Sequence, residues 1–505
     1  MRVVFRADAS VEIGTGHVMR CLALAGALAA RGHECRFICR DLPGQLGPRI
    51  RGAGFALALL PAPPPGFRPA SGQPAHAAWA GVPWERDAAE TLAAAGDAEV
   101  LVLDHYAFAA DWEAAARPEG ARLVVLDDLA DRPHLADLLV DQNFGRRPAD
   151  YDGLMPPQAE RLIGPRHALL RPEFSARRAS ALQGRADRGH GLRRVLVTMG
   201  GVDLPNATGK VLAALAGRSG LRVTVVMGAN APALPAVQAQ AAALPIPAEV
   251  LVNVADMARL MAEADLAIGA AGGTAWERCA LGLPSLMAVL ADNQAEAARA
   301  LDAAGVAISL GRPEAPEFEA RLTAALERLA DPATLAAMAE RAAAVTDGRG
   351  ADRVAGAIEH PLALRPASME DAERIWHWRR AAPAESFRAG PTPSLPEHLF
   401  WFERALTDPR RRLYVAGTPT QAHLRLDLTT QDTAAISVLL APEARGKGAA
   451  PRLLGLLALA ARAEGITTLQ AEVHPANAAS LALFRAAGFA ETGLRDGFQT
   501  FALTL

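Results

Sequence analysis

Residues 2–20 read RVVFRADASVEIGTGHVMR, and this stretch decides the fold of the first part of the chain. An apolar run ends in polar residues, passes through a Gly-Thr-Gly turn and enters an alanine- and leucine-rich segment that is typical of a helix. The pattern therefore places His17 where a strand hands over to a helix. Ligands bind at that edge of open α/β sheets, and glycines there let backbone N–H groups approach an anion. We expect Gly14 and Gly16 to contact a phosphate beside a titratable imidazole, as a hydrolase or glycosyl-transfer enzyme requires.

Charged residues flank this turn. Arg6 and Asp8 end the preceding strand and point toward the same loop, while Arg20 lies one helical turn after His17. Because the positive end of a helix disfavours imidazolium, we expect His17 to be neutral and able to accept a proton. The alternatives are a capping or buried histidine and a pair of glycines that serve only a tight connection.

The composition excludes several classes of protein. The 505 residues carry 52 lysines and arginines against 55 aspartates and glutamates, a net charge of −3, which argues against a general nucleic-acid-binding surface. The apolar stretches are broken well before the roughly 18 residues of a membrane span, and no secretory signal is visible, so we expect a cytoplasmic protein without a membrane partner. No metal site is expected, because the cysteines complete no zinc pattern. These cysteines are Cys21, Cys35, Cys39 and Cys279.

Two series of short apolar runs alternate with helical stretches before residue 358. This alternation predicts two doubly wound parallel sheets with a cleft between them. We assign residues 1–175 and 190–358 to these units, and residues 361–505 to a smaller α/β domain after the break at His360-Pro361. The polar, basic stretch 175–192 is interpreted as a crossing between the first two units. Residues 61–83 form a Pro/Gly-rich loop of a length that is usually either disordered or functional.

The second unit carries further candidate ligands in loops that follow predicted strands. Its Gly-Gly-Thr loop offers backbone N–H groups to a diphosphate. Glu277, one helical turn later, can accept hydrogen bonds from a ribose diol, or it is a solvated helix carboxylate. Short amide side chains follow the next strand, where a sugar could bind. The candidates are Gly200, Gly201, Gly272, Gly273, Thr274, Glu277, Asn293 and Gln294.

Three separated loops together carry a resemblance to a known family. They are Arg-x-Asp-x-Ser with Ile-Gly-x-Gly-His-x-x-Arg over residues 6–20, Met-Gly-Gly-x-Asp over 199–203, and Ala-Ala-Gly-Gly-Thr-x-Trp-Glu-Arg-Cys over 270–279. This set resembles the UDP-sugar hydrolases of pseudaminic acid biosynthesis, which cleave UDP from UDP-2,4-diacetamido-2,4,6-trideoxy-β-L-altropyranose. The resemblance covers about residues 1–350. It implies a GT-B-like pair of Rossmann-type domains, similar to the N-acetylglucosamine transferase that forms lipid II.

The resemblance also implies roles for the candidate residues. His17 falls on the family's catalytic histidine and would take a proton from the water that attacks the anomeric carbon. Residues 272–274 would bind UDP, with Glu277 on the ribose. Asp8 would orient His17 or the sugar, and Arg20 with backbone amides would hold the leaving diphosphate. A GT-B glycosyltransferase that passes its sugar to an acceptor stays an alternative, since its UDP half would look alike.

The third domain carries a second anion loop between a predicted strand and a helix. With an Asn-x-x-Ser pair about 25 residues later, this loop resembles the acetyl-CoA-binding core of the GNAT N-acetyltransferases. By that resemblance, acetyl-CoA is a co-substrate, the loop holds its pyrophosphate, and the Asn-x-x-Ser pair lines the pantetheine. The residues concerned are Arg445, Gly446, Lys447, Gly448, Ala449, Ala450, Asn477 and Ser480.

Two positions depart from the family patterns. Phe484 stands where GNAT enzymes usually have a tyrosine that protonates the departing thiolate, and phenylalanine has no proton to donate. Tyr414 is considered as a replacement, with a core aromatic as the alternative. Arg380 stands where the subgroup that acetylates the 4-amino group of a sugar nucleotide in the same pathway usually has asparagine. The Trp/His-rich segments around residues 375–380 and 397–402 either stack on the substrate or belong to a core helix.

The two resemblances fit together chemically. Acetylation of the 4-amine would make the diacetamido sugar nucleotide, and hydrolysis would then release the free sugar. The competing interpretation is a GT-B glycosyltransferase that carries a non-catalytic, GNAT-like ligand-sensing module. The sequence does not indicate an oligomeric state.

Overall fold

The computed structural model describes residues 1–189, 191–383, 392–417 and 420–505. Its strands form three sheets, which correspond to the two doubly wound units and the smaller α/β domain expected from the sequence. The fold class is therefore confirmed. Among the helices in these ranges, none is both long enough and apolar enough to cross a membrane.

The first unit is built on seven parallel strands. They are β1 Arg2–Ala7, β2 Glu34–Arg40, β3 Ala56–Leu60, β4 Val100–Asp104, β5 Arg122–Leu126, β6 Leu138–Asp141 and β7 Glu160–Ile163. The helices are α1 Gly16–Ala29, α2 Gly47–Gly52, α3 Trp84–Ala95 and α4 Ala110–Ala116. The strand order is β3-β2-β1-β4-β5-β6-β7, so the chain reverses direction across the sheet between β1 and β4. The loop before His17 therefore lies at the topological switch point, where such sheets bind ligands.

The second unit repeats this plan with six parallel strands in the order β10-β9-β8-β11-β12-β13. They are β8 Arg194–Thr198, β9 Arg222–Met227, β10 Ala248–Val252, β11 Leu266–Ala270, β12 Ser285–Ala288 and β13 Ile308–Gly311. The helices are α5 Pro172–Asp187, α6 Ala207–Leu215, α7 Leu234–Ala242, α8 Met257–Glu263, α9 Thr274–Ala280, α10 Ala295–Ala303, α11 Phe318–Arg328, α12 Pro332–Val345 and α13 Gly350–Glu359. The loops at 199–203 and 271–273 leave the neighbouring strands β8 and β11, at this sheet's own switch point.

The predicted crossing at 175–192 is helical over most of its length, with residue 190 outside the described part. Helix α5 packs with the second unit through Phe174 and Ala181. Two of its arginines bind backbone: Arg185 donates to the carbonyl of Leu281 at 3.1 Å, and Arg178 donates to the carbonyl of Ala343 at 2.7 Å. Helix α13 returns to the first unit, where Val354 joins the core beneath β1. Helix α5, which lies mostly in the predicted crossing, thus packs with the second unit, and α13, which lies within residues 190–358, packs with the first.

The third domain is a seven-stranded mixed sheet in the order β14-β15-β16-β17-β18-β20-β19. Its strands are β14 Leu364–Pro366, β15 Arg411–Ala416, β16 Ala422–Leu428, β17 Thr433–Leu440, β18 Thr468–Val473, β19 Ala490–Arg495 and β20 Phe498–Thr504. Its helices are α14 Met369–Arg380, α15 Leu395–Thr407, α16 Ala449–Ala463 and α17 Ala478–Ala486. The first turn of α16 rests on the edge strand β7, where Arg452 pairs with the buried carboxylate of Glu160 at 2.8 Å.

Candidate functional site

The centre of the first unit is a contact between His17 and Asp104. His17 lies in the first turn of α1, and Asp104 ends β4, the strand beside β1. Nδ1 of His17 is 2.5 Å from Oδ1 of Asp104. Burial favours the neutral acid, but the positive charge of Arg20 and the hydrogen bonds from Arg20 and His17 outweigh it and hold the pKa of Asp104 well below its usual range. A carboxylate on Nδ1 fixes the tautomer and leaves Nε2 as the nitrogen that can accept a proton.

Arg20 serves this contact. Its Nε and Nη2 donate to the two oxygens of Asp104 at 2.6 and 2.7 Å. Its Nη1 pairs with Asp128, and the side chain is 12% exposed. Two carboxylates thus offset its charge. In the structure Arg20 holds Asp104 in place, and its contact with a leaving diphosphate stays a prediction.

Asp8, predicted to orient His17 or the sugar, has Arg6 as its main partner in the structure. Its carboxylate is completely buried and receives both ends of the Arg6 guanidinium, at 2.6 and 2.9 Å. Arg6 also pairs with buried Asp87 at 2.7 Å, so these residues form an ion network inside the unit. Among the described residues, no contact joins Asp8 to His17. The carboxylate that contacts His17 is that of Asp104.

Aromatic rings surround His17. The ring of Tyr106 meets it edge-on with centroids 4.5 Å apart, and Trp79 stacks on Tyr106 at 5.7 Å. The ring of His76 is 4.5 Å from Trp79, and the Tyr106 hydroxyl donates to Asp128 at 2.6 Å. His76 and Trp79 come from the Pro/Gly-rich stretch 61–83, which folds back over His17.

The sequence analysis missed these partners, although a signal was present. Polar and aromatic residues follow the buried strand β4 directly, at the sheet edge where ligands bind. The loop residues gave a weaker signal, a tryptophan inside a proline-rich segment. Only the folded structure shows that this loop packs against His17.

The Gly-Thr-Gly turn has the geometry of an open helix start. Gly14 has φ +81°, a conformation that side chains other than glycine rarely adopt, and its N–H donates to Ser10 at 2.9 Å. Gly16 begins α1, and Thr15 provides no side-chain cap. The first N–H groups of this helix therefore lack a capping oxygen, which is what an anion site needs.

In the second unit, the structure brings Gly272 and Gln294 together. A Cβ at position 272 would lie 3.4 Å from Nε2 of Gln294, so glycine leaves room at this loop. The Oε1 of Gln294 accepts the N–H of Leu290 at 3.0 Å, which fixes the side chain. Gly273 and Thr274 start α9 without a side-chain cap. The loop thus presents free backbone N–H groups.

Glu277 lies in the first turn of α9, with its carboxyl 3.7 Å from the guanidinium of Arg171. Burial raises the pKa of Glu277 to about 7, against the opposing effect of Arg171. Near neutral pH the group therefore exists in both forms and can accept or donate hydrogen bonds. A group that can both accept and donate hydrogen bonds suits the two hydroxyls of a ribose diol.

The Met-Gly-Gly-x-Asp loop is held by its own aspartate. Asp203 accepts the N–H groups of Ala207 and Thr208, each at 2.9 Å, and so caps α6. Gly200 has φ +87° and Gly201 follows it at the end of β8. The contacts of the described residues do not indicate a ligand at this loop.

The two units meet across a cavity of about 90 Å³. Asp128 and Asn143 line it from the first unit, and Asn293 and Glu296 line it from the second. Asp128 also binds Arg20 and Tyr106, so the cavity borders the group around His17. Asn293, predicted from its position after a strand, therefore faces the first unit.

The third domain opens between β17 and β18. These parallel strands pair only over Thr433–Ala435 and Thr468–Gln470, and from there to Leu440 strand β17 is paired with β16 on its other side but not with β18. Separated strands expose backbone N–H and C=O groups that a ligand can pair.

The predicted pyrophosphate loop leads into α16. Gly446 and Gly448 have φ of +73° and +77°, and α16 begins at Ala449 without a side-chain cap. Arg445 is turned inward, since it donates to the carbonyls of Leu440 and Ala381 and so fastens the loop. The backbone N–H groups of residues 446–450 and the exposed side chain of Lys447 therefore remain to bind an anion.

Asn477 caps α17 by accepting the N–H of Ser480 at 3.0 Å, which leaves its amide N–H₂ for a ligand. Phe484 on the same helix is a core residue, packed between Phe489 and Phe501 with centroids at 5.0 and 5.8 Å. The sequence pattern alone did not distinguish this packing role from a catalytic position.

Tyr414, considered as a replacement for the missing tyrosine, is bound to another helix end. Its hydroxyl donates to Glu464 at 2.8 Å, and Glu464 follows the last residue of α16. The pyrophosphate loop precedes the first residue of that helix, about 22 Å away at 1.5 Å per residue. Tyr414 therefore lies at the other end of α16 from the predicted pyrophosphate loop.

The Trp/His-rich segments are mostly core. Ile375, Trp378 and Phe402 share one apolar cluster. Trp376 is the partial exception: its Nε1 donates to the carbonyl of Pro393 at 2.8 Å, and the guanidinium of Arg380 lies 4.7 Å from its ring centre. The structure thus favours the core interpretation. Among the described residues, no group of three His, Cys, Asp or Glu side chains is arranged to hold a metal ion.

Parts of this chain are similar to known proteins and protein families. The model of the glycosyltransferase family 28 C-terminal domain matches residues 194–354, and the model of the acetyltransferase (GNAT) family matches residues 372–489. A curated relative is the UDP-2,4-diacetamido-2,4,6-trideoxy-beta-L-altropyranose hydrolase of Campylobacter jejuni, 28% identical over 207 residues. That match covers 41% of this chain and 62% of the relative's length.

The crystal structure of MurG from Acinetobacter baumannii shares the fold of the first two units. It superposes with a TM-score of 0.53 at 18% identity, covering 71% of this chain and 99% of MurG. The chain therefore joins a MurG-like pair of α/β units, the second of which matches the glycosyltransferase family 28 C-terminal domain, to an acetyltransferase domain of the GNAT family.

Proposed function

We propose that the first two units hydrolyse UDP-2,4-diacetamido-2,4,6-trideoxy-β-L-altropyranose to UDP and the free sugar, and that the third domain acetylates its 4-amino precursor from acetyl-CoA. The observation that carries the hydrolase assignment is the His17–Asp104 pair at the switch point of the first sheet. The similarity to the Campylobacter hydrolase supports the choice of substrate. No metal ion has a role in this proposal.

In the hydrolytic step, Nε2 of His17 takes a proton from a water molecule. The water oxygen bonds to the anomeric carbon as the bond from that carbon to the diphosphate oxygen breaks, and UDP leaves with the electron pair. Asp104 stabilises the imidazolium that forms, and Arg20 keeps Asp104 charged. The rings of Tyr106 and Trp79 limit the access of bulk water to this nitrogen.

The second unit would bind the nucleotide. Backbone N–H groups of Gly273 and Thr274 meet the diphosphate at the start of α9, and Glu277 accepts the ribose hydroxyls. Asn293, which borders the cavity between the units, and Gln294, which lies beside Gly272, would contact the sugar. The diphosphate would then lie between the two units.

Incubation with the UDP-sugar alone tests the hydrolase. Release of UDP and free sugar without an acceptor supports it, whereas release only after an acceptor is added identifies a glycosyltransferase. His17→Ala should lower kcat by about 10²–10⁴-fold, the usual contribution of a general base. A wild-type rate in that variant would contradict the assignment.

In the acetyl transfer, the 4-amino nitrogen attacks the thioester carbonyl, the carbon–sulfur bond breaks, and the nitrogen loses a proton to solvent. Because Phe484 has no hydroxyl, a water molecule protonates the coenzyme A thiolate. The GNAT family match and the gap between β17 and β18 support this activity.

Coenzyme A release from acetyl-CoA and the 4-amino sugar nucleotide is the measurement. Binding of acetyl-CoA without turnover would instead indicate a ligand-sensing module. If both activities are present, one chain carries two consecutive steps, and the tether raises the local concentration of the shared intermediate.

A further inference from the structure

Asp128 has one carboxylate oxygen to which no donor is bound. Its Oδ2 accepts the Tyr106 hydroxyl at 2.6 Å and pairs with Nη1 of Arg20. Its Oδ1 is buried and has no hydrogen-bond partner within the described part of the chain. A buried carboxylate oxygen without a donor is costly, so water or a bound ligand has to supply one. The hydrolytic step proposed for His17 gives Asp128 no contact with the substrate.

Asp128 lies between the reaction centre and the cavity of about 90 Å³ where the two units meet. The guanidinium of Arg20 joins it to Asp104, the carboxylate that binds His17. The same Asp128 lines the cavity, together with Asn293 of the second unit. A ligand that Asp128 holds in this cavity therefore has a fixed place relative to His17.

The charges around this cavity favour a neutral ligand that donates hydrogen bonds. Among the described residues, the charged ones that line it are Asp128, Arg146, Asp292 and Glu296. The guanidinium of Arg146 is already 3.0 Å from the carboxylate of Asp141 and 3.6 Å from that of Glu296. Because like charges repel, this excess of carboxylates disfavours the diphosphate of a UDP-sugar. The glycosyl unit carries no charge and has a hydroxyl group and amide N–H groups to donate.

We propose that Asp128 is a catalytic residue that binds the glycosyl unit, with Oδ1 accepting a hydrogen bond from a hydroxyl or amide N–H group of the sugar. The proposal rests on the proposed hydrolase function, to which it adds a substrate contact in the first unit. Since Arg20 and Tyr106 fix the same carboxylate, Asp128 positions the sugar relative to the water that His17 deprotonates.

Calorimetric titration of a His17→Ala protein, which prevents turnover, tests this contact with two ligands. They are UDP-2,4-diacetamido-2,4,6-trideoxy-β-L-altropyranose and UDP. In this background Asp128→Asn should raise the Kd of the UDP-sugar roughly 10–150-fold, the usual value of a hydrogen bond to a charged group, and leave the Kd of UDP unchanged. Asp137→Asn, at a partly exposed aspartate that pairs with Arg117, is the matched control and should change neither Kd.

The pair of ligands separates a sugar contact from a purely structural role. If Asp128 only held Arg20, Asp128→Asn would lower kcat with His17 intact and leave both Kd values unchanged. That result would overturn the sugar contact and leave the hydrolase proposal standing. Equal weakening of both ligands would also overturn the contact, because it would show damage to the nucleotide site.

Failure of the His17→Ala protein to bind either ligand would overturn the hydrolase proposal and the Asp128 contact together. Asp128→Ser removes the carboxylate and leaves room for a water molecule. It repeats the titrations, with the same expected results, if the asparagine variant does not fold.

Discussion

Asp104 lies 2.5 Å from His17 although 87 residues separate them in the chain. Strand order brings them together: β4 is the parallel neighbour of β1, so the end of β4 faces the turn that follows β1. This contact fixes the imidazole of His17 through Nδ1 and leaves Nε2 as the nitrogen that can accept a proton.

Asp104→Asn should lower kcat of UDP-sugar hydrolysis by about 10²–10⁴-fold, because an amide no longer stabilises the imidazolium or fixes its tautomer. KM should change little, since Asp104 is buried away from the substrate. Steady-state kinetics measure both values. Asp137→Asn, at a partly exposed aspartate that pairs with Arg117, is the control and should keep wild-type kcat. An equal loss in both variants would argue against a specific role for Asp104.

Glu277 should make stability depend on pH near neutrality. Its folded-state pKa is raised to about 7 by burial, above the ordinary value of 4.5. The fold therefore favours the protonated acid, so the contribution of Glu277 to the free energy of unfolding is full below pH 4.5 and is lost as pH rises through 7. Thermal unfolding without ligand should show that Glu277→Gln reduces this fall between pH 5 and pH 8. Parallel curves for wild type and variant would contradict the assigned pKa.

The junction between the first unit and the third domain should depend on Glu160. This buried carboxylate pairs with Arg452, and Glu160→Gln leaves that guanidinium without its counter-charge. We expect a loss of about 1.5–3 kcal/mol, the usual value of hydrogen bonds to a charged group, because Arg452 is only partly buried. Denaturant unfolding measures it. The double variant Glu160→Gln with Arg452→Met should recover part of the loss, and additive losses would show that the pair is not coupled.

Gly448→Ala should weaken acetyl-CoA binding. The φ of +77° at Gly448 strains any other residue by roughly 1–2 kcal/mol, so the loop at the start of α16 has to move. Calorimetric titration with acetyl-CoA measures the affinity. Gly455→Ala is the control, because Gly455 lies inside α16 with open space around it. That variant should bind normally and gain about 0.5–1 kcal/mol of stability.

Local patterns in the sequence were sufficient for some of these features. The Gly-Thr-Gly turn placed His17 correctly because a strand, a turn and a helix are neighbours in the chain. The same holds for the Gly272 loop, for Asn477 as the first residue before α17, and for the break after His360.

Other features depend on sheet order and on packing between distant segments. Asp8 is near His17 in sequence, whereas Asp104 is near it in space because β4 pairs with β1. The contacts of Arg20 with Asp104 and Asp128 likewise join residues that are far apart in the chain. The approach of Trp79 to His17 depends on how a proline-rich loop folds back, which no local pattern determines.

The most direct test of the account is hydrolysis of UDP-2,4-diacetamido-2,4,6-trideoxy-β-L-altropyranose in ¹⁸O-labelled water without an acceptor, followed by phosphorus NMR. Attack of water on the anomeric carbon predicts UDP without the heavy isotope, released at a rate that falls with His17→Ala. Heavy oxygen in the β-phosphate of UDP, or no release of UDP until an acceptor is added, would contradict the central role of His17 as the base for water.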